Sequence, residues 1–390
     1  MKRTICVITG TRADYGLLKP LIDEIRSDAT LIFRLIVTGS HLSPEFGSTC
    51  TDIERDGVPV TERIEMLLSS DTPVSVCKSM GLAVIGFSET YSRMKPDIVV
   101  VLGDRYEILC AVEAALMHRI PLAHISGGET TEGTLDDSMR HAITKMSHLH
   151  FTSTEVYRKR VIQMGESPEM VFNVGALGID NIRKMRLLTR EELTKELGIT
   201  FNRYNLLVTF HPVTLDENSG IKHFIILLDE LRKLTNTNII FTKANADTGG
   251  RAINDLIDGF VAKQPAASFV FSSMGQQRYL STMSQIDAVV GNSSSGIVEA
   301  PALKVGTINI GDRQKGRVKA ASVIDCLPEK NSIQEAIQQV TSQSFKEQLK
   351  CIENPYGRGD AAAKIMKVLG RYELKGLVNK KYHDIEFKAR

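Results

Sequence analysis

Two series of short aliphatic and β-branched runs, each run followed by a longer amphipathic stretch, constrain this chain more than any other feature. In the first series the runs fall at 4–9, 31–37, 98–102, 122–125, 150–152 and 171–174, with helical patterns at 17–27, 76–94 and 106–117 between them. Runs of this kind, apolar at nearly every position, suit strands buried on both faces. Their alternation with helices predicts a parallel sheet covered on each side. A second series begins after a charged, helix-like segment at 189–197, with runs at 205–210, 238–242, 268–271, 288–291 and 306–310. At 390 residues the chain exceeds what one hydrophobic core serves, so each series is expected to form its own domain. The expected fold is α/β, with two Rossmann-like, doubly wound domains facing each other across a cleft. The boundaries read as 1–178 and 179–365, with a hinge near 176–190 and a tail at 366–390. The sequence leaves open which domain the last helix, near 361–372, packs against.

Several classes of function fit poorly. Forty-eight basic residues against 46 acidic ones give a net charge of +2, without the basic face expected of a nucleic-acid binder. The tail is Lys/Arg-rich, but Tyr382, Asp384 and Glu386 interrupt it, and it reads as a solvated terminus. No stretch approaches the roughly 18–20 apolar residues of a membrane span, and the first nine residues read as a strand, not a signal peptide. The six cysteines form no Cys-x-x-Cys pair. Cys6 and Cys110 sit in apolar surroundings and are expected as buried thiols, in keeping with a reducing cytoplasm.

Sheets of this type bind ligands beyond the carboxyl ends of their strands, so the loops there hold the candidate residues. Gly10-Thr11-Arg12-Ala13-Asp14-Tyr15-Gly16 follows the first run. It suits an anion held by backbone N–H groups and the Arg12 guanidinium, or simply a strand-to-helix turn. It is neither a dinucleotide fingerprint nor a Walker loop. Gly291-Asn292-Ser293-Ser294-Ser295-Gly296 leads into a helix with Glu299 one turn inside, and Gly311-Asp312-Arg313-Gln314-Lys315-Gly316-Arg317 follows the next run. Both suit a diphosphate, with Glu299 placed for ribose hydroxyls; an N-cap and an exposed loop are the plainer alternatives.

Asp104, in Leu102-Gly103-Asp104-Arg105-Tyr106-Glu107, reads equally as an acid/base group or a helix cap. The densest ionisable cluster is His124-Ile125-Ser126-Gly127-Gly128-Glu129, followed by Glu132, Asp136, Asp137, Arg140 and His141. His41 and His211 end strands and are functional candidates. His124, His141, His148 and His150 read as satisfied structural groups. No histidine pair has metal-ligand spacing, and no metal is expected.

Taken together, GTRADYG, GSHL, VLGDRYE, the GGE to DDSMRHAITKMSHLHFTSTE stretch, HPVT, NADTGG, GNSSSG and INIGDRQKGR, in that order from residue 4 to about 325, resemble the hydrolysing UDP-N-acetylglucosamine 2-epimerases of sialic-acid synthesis. The resemblance implies a GT-B type architecture and no cofactor. It also implies conversion of UDP-N-acetylglucosamine to N-acetylmannosamine plus UDP through a 2-acetamidoglucal, and a homo-oligomer, dimer or tetramer. By motif position it places Asp104, Asp136, His41 and His211 among acid/base and sugar contacts. Arg12, Asn292, Ser293, Ser294, Glu299, Arg313 and Asn245 fall at the UDP, with Asp247 in the same turn as Asn245. One departure stands out: many relatives carry a catalytic glutamate in a HIEGG-like segment where this chain has Ser126. Either Glu129 or Asp104 takes over the proton transfer, or the base assigned in those relatives is not general to the family. Other readings are the same chemistry on a 2,4-diacetamido-2,4,6-trideoxy-glucose nucleotide, a reversible epimerase, a retaining glycosyltransferase, or a nucleotide-sugar-binding regulator without catalysis.

Overall fold

The computed structural model describes residues 2–386 apart from 71, 132–134, 212–218, 245–249 and 273. It divides into two compact units, one formed by Met1–Thr130, Leu135–Asn181 and Gly359–Arg390, the other by Thr131–Thr134 and Ile182–Arg358.

The first unit holds seven parallel strands: β1 (Arg3–Thr9), β2 (Leu31–Thr38), β3 (Glu62–Ile64), β4 (Ile98–Leu102), β5 (Leu122–Ile125), β6 (Leu149–Thr152) and β7 (Val171–Asn173). Their spatial order is β3-β2-β1-β4-β5-β6-β7. Alternation along the strands builds two cores at once. Ile5 and Val7 of β1 join Ile98, Val100 and Leu102 of β4 on one face. Cys6 and Ile8 join Val99 and Val101 on the other, under Phe87 and Tyr91 of the helix Pro73–Met94. The strands read as continuous apolar runs because both faces are covered.

The second unit repeats the plan with β8 (Tyr204–Thr209), β9 (Thr237–Thr242), β10 (Ser268–Phe271), β11 (Ala288–Gly291), β12 (Gly306–Ile310) and β13 (Val323–Cys326), ordered β10-β9-β8-β11-β12-β13 and parallel throughout. Leu206 and Val208 face one core, Leu207 the other. Doubly wound α/β architecture is thus present in both units. The edge strands β3 and β13 are additions to the elements expected from sequence.

The C-terminal boundary differs from the expected one at 365. The helix Ala361–Arg371 belongs to the first unit, where Ala361, Ala362, Ile365 and Leu369 enter the core beside Leu18 and Leu21. Both Asp180 carboxylate oxygens accept from its first free N–H groups, those of Ala361 at 3.0 Å and Ala362 at 2.8 Å, as a capping residue would. At its other end the Arg3 guanidinium donates to the carbonyls of Leu369 and Tyr372. Nor is the segment after it simply solvated. Leu377 is buried, and the Lys380 ammonium donates to the carbonyls of Lys145 at 2.6 Å and Ser147 at 2.7 Å and pairs with Glu166 at 2.7 Å.

Among the described residues no helix is long and apolar enough to cross a membrane. All six cysteines are free thiols, with Cys6 and Cys110 fully buried.

Candidate active site

Each sheet has one place where its strand order reverses: between β1 and β4 in the first unit, and between β8 and β11 in the second. Loops leaving adjacent strands there diverge to opposite faces of the sheet and open a crevice. Most of the candidate residues stand at these two places.

In the first unit the β1 loop runs through Gly10 into the helix Arg12–Ser27, capped by Thr11, whose hydroxyl accepts the Asp14 N–H at 3.1 Å. Arg12 is exposed at the helix start. From the end of β4, Asp104 forms an ion pair with Arg140, a guanidinium buried on the helix Leu135–Met146. The next acid in that loop, Glu107, is only 1% exposed. Its Oε1 accepts from Arg105 Nε at 2.6 Å. The side chain passes beneath Gly10 so closely that a Cβ there would lie 2.6 Å from Glu107 Cγ and Oε1. Gly10 is therefore required to make room for an acid from the neighbouring strand. Asp14 is half-buried with its Oδ2 sealed from solvent. Burial first, and the neighbouring Glu107 charge second, push its carboxyl up to about 7.

The β5 loop carries Ser126 with φ 66°, a left-handed conformation rare outside glycine and costing on the order of 1 kcal/mol. Its N–H is held by the Phe151 carbonyl at 2.9 Å. Glu129 lies three residues on, accepting from the Ser153 hydroxyl at 2.7 Å. Asp136 is exposed in the first turn of the helix Leu135–Met146, and Asp137 contacts His141 at 3.5 Å.

His41 is fully buried, with Thr9 Oγ1 at 3.0 Å from Nε2 and Thr49 Oγ1 at 2.8 Å from Nδ1. Burial pulls its pKa down to about 4, and hydroxyls engage both ring nitrogens. Three further histidines of this unit have partners within it. His124 bridges Thr144 and the Gly103 carbonyl, His148 accepts the Leu122 N–H, and His150 contacts Glu166.

In the second unit β11 ends at Gly291, φ 132°, where a Cβ would sit 2.0 Å from the Thr209 carbonyl oxygen; only glycine fits between the two strands. Asn292 follows, 1% exposed. Its amide clamps His211 at the end of β8: Oδ1 accepts the His211 N–H at 2.7 Å and Nδ2 donates to the His211 carbonyl at 2.8 Å. Both ends of the Asn292 amide thus engage the His211 backbone. Arg313 and Gln314 donate to the Asn292 carbonyl at 3.0 and 2.9 Å, tying the β12 loop to the same point. Ser293 caps the short helix Ser294–Val298, and half-buried Glu299 ends it. Asn245, Asp247 and Glu132 lie outside the described residues.

Among the described residues no three His, Cys, Asp or Glu side chains gather as a metal-holding group. What the first unit gathers is several carboxyl groups and two guanidinium groups at one sheet edge, a combination suited to moving protons. The second unit gathers hydroxyls, backbone N–H groups and a guanidinium, suited to an anion.

The UDP-N-acetylglucosamine 2-epimerase family profile matches residues 23–370. The chain is 45% identical over 346 residues, 89% of each chain, to the GDP/UDP-N,N'-diacetylbacillosamine 2-epimerase (hydrolyzing) of Campylobacter jejuni. It is 39% identical to the polysialic acid biosynthesis protein P7 of Escherichia coli, covering 94% of this chain and 93% of that one. In fold it resembles the UDP-GlcNAc 2-epimerase of Neisseria meningitidis, solved bound to UDP-GlcNAc, with a TM-score of 0.82 over 94% of this chain and 99% of that one at 20% identity. With the profile spanning most of its length, this chain belongs to the UDP-N-acetylglucosamine 2-epimerase family.

Proposed function

We propose that the protein is a hydrolysing 2-epimerase of UDP-linked 2-acetamido sugars. A carboxylate removes the proton on carbon 2 while the bond from carbon 1 to the diphosphate oxygen breaks. The C–H electron pair becomes the carbon 1–carbon 2 double bond, and UDP leaves with the electrons of the C–O bond. Water then adds to the glycal, its oxygen to carbon 1 and a proton to the opposite face of carbon 2, giving a free manno-configured sugar. Such a proton is a poor acid, so the reaction needs proton-transfer groups on both faces and a well-stabilised leaving group.

The observation that carries this reading is the concentration of Asp104, Arg140, Glu129 and Asp136 around the carboxyl ends of β4 and β5. In our assignment Asp104 and Glu129 transfer protons, Asp136 assists from the helix start, and His211, fixed by Asn292, contacts the sugar. Arg12, Ser293, Ser294, Glu299 and Arg313 hold UDP, with Asn245 as a further contact. His41 supports the β1 loop from behind. No cofactor enters the scheme. We further expect a cytoplasmic homo-oligomer, a dimer or tetramer.

Sequence motifs alone put UDP-N-acetylglucosamine first as substrate. The 45% identity to a diacetylbacillosamine epimerase reverses that order, and we assign UDP-2,4-diacetamido-2,4,6-trideoxy-glucose as the preferred sugar nucleotide. UDP-N-acetylglucosamine remains the second reading, favoured by the 39% identity to a polysialic acid biosynthesis protein. The test is incubation of the purified protein with each sugar nucleotide in deuterated water, followed by proton NMR. UDP with a manno sugar deuterated at carbon 2 is expected, faster from the diacetamido compound. A faster reaction of UDP-N-acetylglucosamine would reverse the substrate order, and UDP with an undeuterated gluco product from both would refute epimerisation.

A further inference from the structure

The chain leaves β4 through Gly103 (φ 82°), where a Cβ would meet nothing within 4 Å, so hydrogen bonds and not side-chain packing set the direction in which Asp104 departs. Strand β5 supplies them. The Gly103 N–H donates to the Ile125 carbonyl at 3.1 Å, and the Gly103 carbonyl accepts from His124 Nε2 at 2.8 Å. A carbonyl oxygen only accepts, so the His124 proton stands on Nε2. Burial pulls this fully enclosed imidazole down to about 3, and the neutral ring keeps Nδ1 as an acceptor. There it meets the Thr144 hydroxyl at 3.1 Å. The same hydroxyl reaches the Arg140 carbonyl at 2.9 Å, one turn back on the helix Leu135–Met146. The Arg140 guanidinium in turn pairs with Asp104. The contacts therefore close on themselves, from Asp104 through Gly103, His124, Thr144 and Arg140 back to Asp104. His124 and Thr144 are fully buried and Arg140 is 4% exposed. Gly127 lies over the middle of this circuit: a Cβ there would stand 3.0 Å from Thr144 Oγ1 and 3.1 Å from His124 Nδ1, so the loop leading to Glu129 rests on the same brace.

We propose that His124 is a positioning residue for the reaction: through the Gly103 carbonyl on one side and the Thr144 hydroxyl on the other, it fixes Asp104 and Arg140 relative to each other. This rests on the epimerase reading above, in which Asp104 transfers a proton. Buried, with both nitrogens engaged, His124 acts through these partners. β4 and β5 pair in register, Val101 opposite His124 and Leu102 opposite Ile125, so the sheet by itself places the chain as far as Leu102. What the imidazole adds is a hold on the next peptide, the one that carries Asp104. Through Thr144 it ties that peptide to the helical turn from which Arg140 reaches over. A proton-transfer group must be held to within about an ångström of its productive place, and a circuit of short contacts does this where a glycine leaves the backbone unsupported.

The test uses His124→Gln, His124→Phe, Thr144→Val and the double variant His124→Phe/Thr144→Val in the full chain. The glutamine amide nitrogen keeps a donor near the Nε2 position, phenylalanine keeps a ring with neither nitrogen, and valine keeps the threonine volume without its hydroxyl. UDP release is measured from both sugar nucleotides and expressed per UDP-binding site titrated by calorimetry, so that unfolded protein does not count. His124→Phe is expected to lose about 100-fold in kcat, the effect of a displacement of about 1 Å at a reacting group, with KM within about threefold. Thr144→Val should lose on the order of 10-fold, and the double variant no more than His124→Phe alone, because both changes open the same circuit. His124→Gln should restore kcat to within about tenfold of wild type, a rescue that loss of stability alone would not produce. A His124→Phe kcat within about threefold of wild type, a glutamine variant as impaired as the phenylalanine one, or single losses that multiply in the double variant would overturn the proposal. A measurement without substrate separates the brace from the reaction. In nitrogen NMR spectra of the histidine rings, one imidazole should show a protonated Nε2 and a bare Nδ1, unchanged from about pH 5 to 8 and missing in His124→Gln. A charged ring or the Nδ1–H tautomer at that position would overturn the brace itself. A wild type that keeps this tautomer yet turns over neither sugar nucleotide would instead remove the epimerase reading, and the positioning role with it.

Discussion

Replacing Asn292 by alanine isolates the link between the second unit's packing and its candidate chemistry. The side chain is 1% exposed and makes two hydrogen bonds, both to the backbone of His211, at 2.7 and 2.8 Å. Each His211 group left without a partner costs about 1–3 kcal/mol. His211 is only half-buried, so water recovers part of this, and about 3 kcal/mol is expected for the two. For a unit of this size that corresponds to a fall in melting temperature of about 6–12 °C. The bonds from Arg313 and Gln314 go to the Asn292 backbone carbonyl and survive the change, so the β11 and β12 loops stay joined while His211 loses its anchor. A displacement of about 1 Å at a reacting group lowers turnover by on the order of 100-fold. The expected result is therefore a kcat down by about that factor with KM little changed, since Ser293, Ser294 and Arg12 remain in place. The assay is UDP release from both sugar nucleotides, with melting followed by calorimetry. A kcat within about threefold of wild type would refute the reasoning that Asn292 acts through His211.

Two further outcomes follow from other parts of the molecule. Burial would raise the Glu166 pKa, but the His150 hydrogen bond and charge, then Lys145 and Lys380, pull it down to about 2 from an ordinary 4.5; its stabilisation is present above about 4.5 and is lost as pH falls toward 2. Lys380→Ala should therefore lower unfolding free energy by about 2 kcal/mol at pH 7, a gap that closes as the pH of urea titrations drops from 4.5 to 2 and whose persistence at pH 2 would contradict the ion-pair account. Gly291→Ala places a methyl group 2.0 Å from the Thr209 carbonyl oxygen, which forces the β8–β11 pairing apart; UDP binding by calorimetry should disappear, and wild-type affinity would show that the strands part cheaply.

Much of the architecture is legible in the sequence because parallel strands covered on both faces need unbroken apolar runs, and β1, β4, β8 and β11 have them. β3 and β13 escape notice for the opposite reason: each is an edge strand of three or four residues containing charge, Glu62-Arg63-Ile64 and Val323-Ile324-Asp325-Cys326. The loops bearing the candidate residues are visible as motifs, yet roles within them depend on which strands adjoin. Gly10 and Glu107 stand 97 positions apart in sequence and meet only because β1 pairs with β4, Val7 opposite Val100. His41 ends a strand as active-site histidines do, but its partners Thr9 and Thr49 come from either side of it in the chain and close around both ring nitrogens. In GNSSSG the hydroxyls and glycines suggest an anion loop, and nothing local indicates that the asparagine turns inward to hold a residue 81 positions earlier.

The placement of the helix Ala361–Arg371 in the first core bears on the order in which the protein comes into being on the ribosome. Residues 1–181 emerge first, but the apolar surface of Leu18 and Leu21 has no cover until the helix that supplies Ile365 and Leu369 has been made. Those two side chains contribute about 3–6 kcal/mol by burial, a large part of the stability of an ordinary domain. The intervening residues 182–358 form one uninterrupted unit, which can close as soon as it is free of the tunnel. At about 5–20 residues per second, their synthesis leaves the first unit waiting for about 10–35 s. The half of the protein translated first is thus the half completed last, and during that interval the uncovered apolar face of the helix Arg12–Ser27 is the surface a chaperone would find.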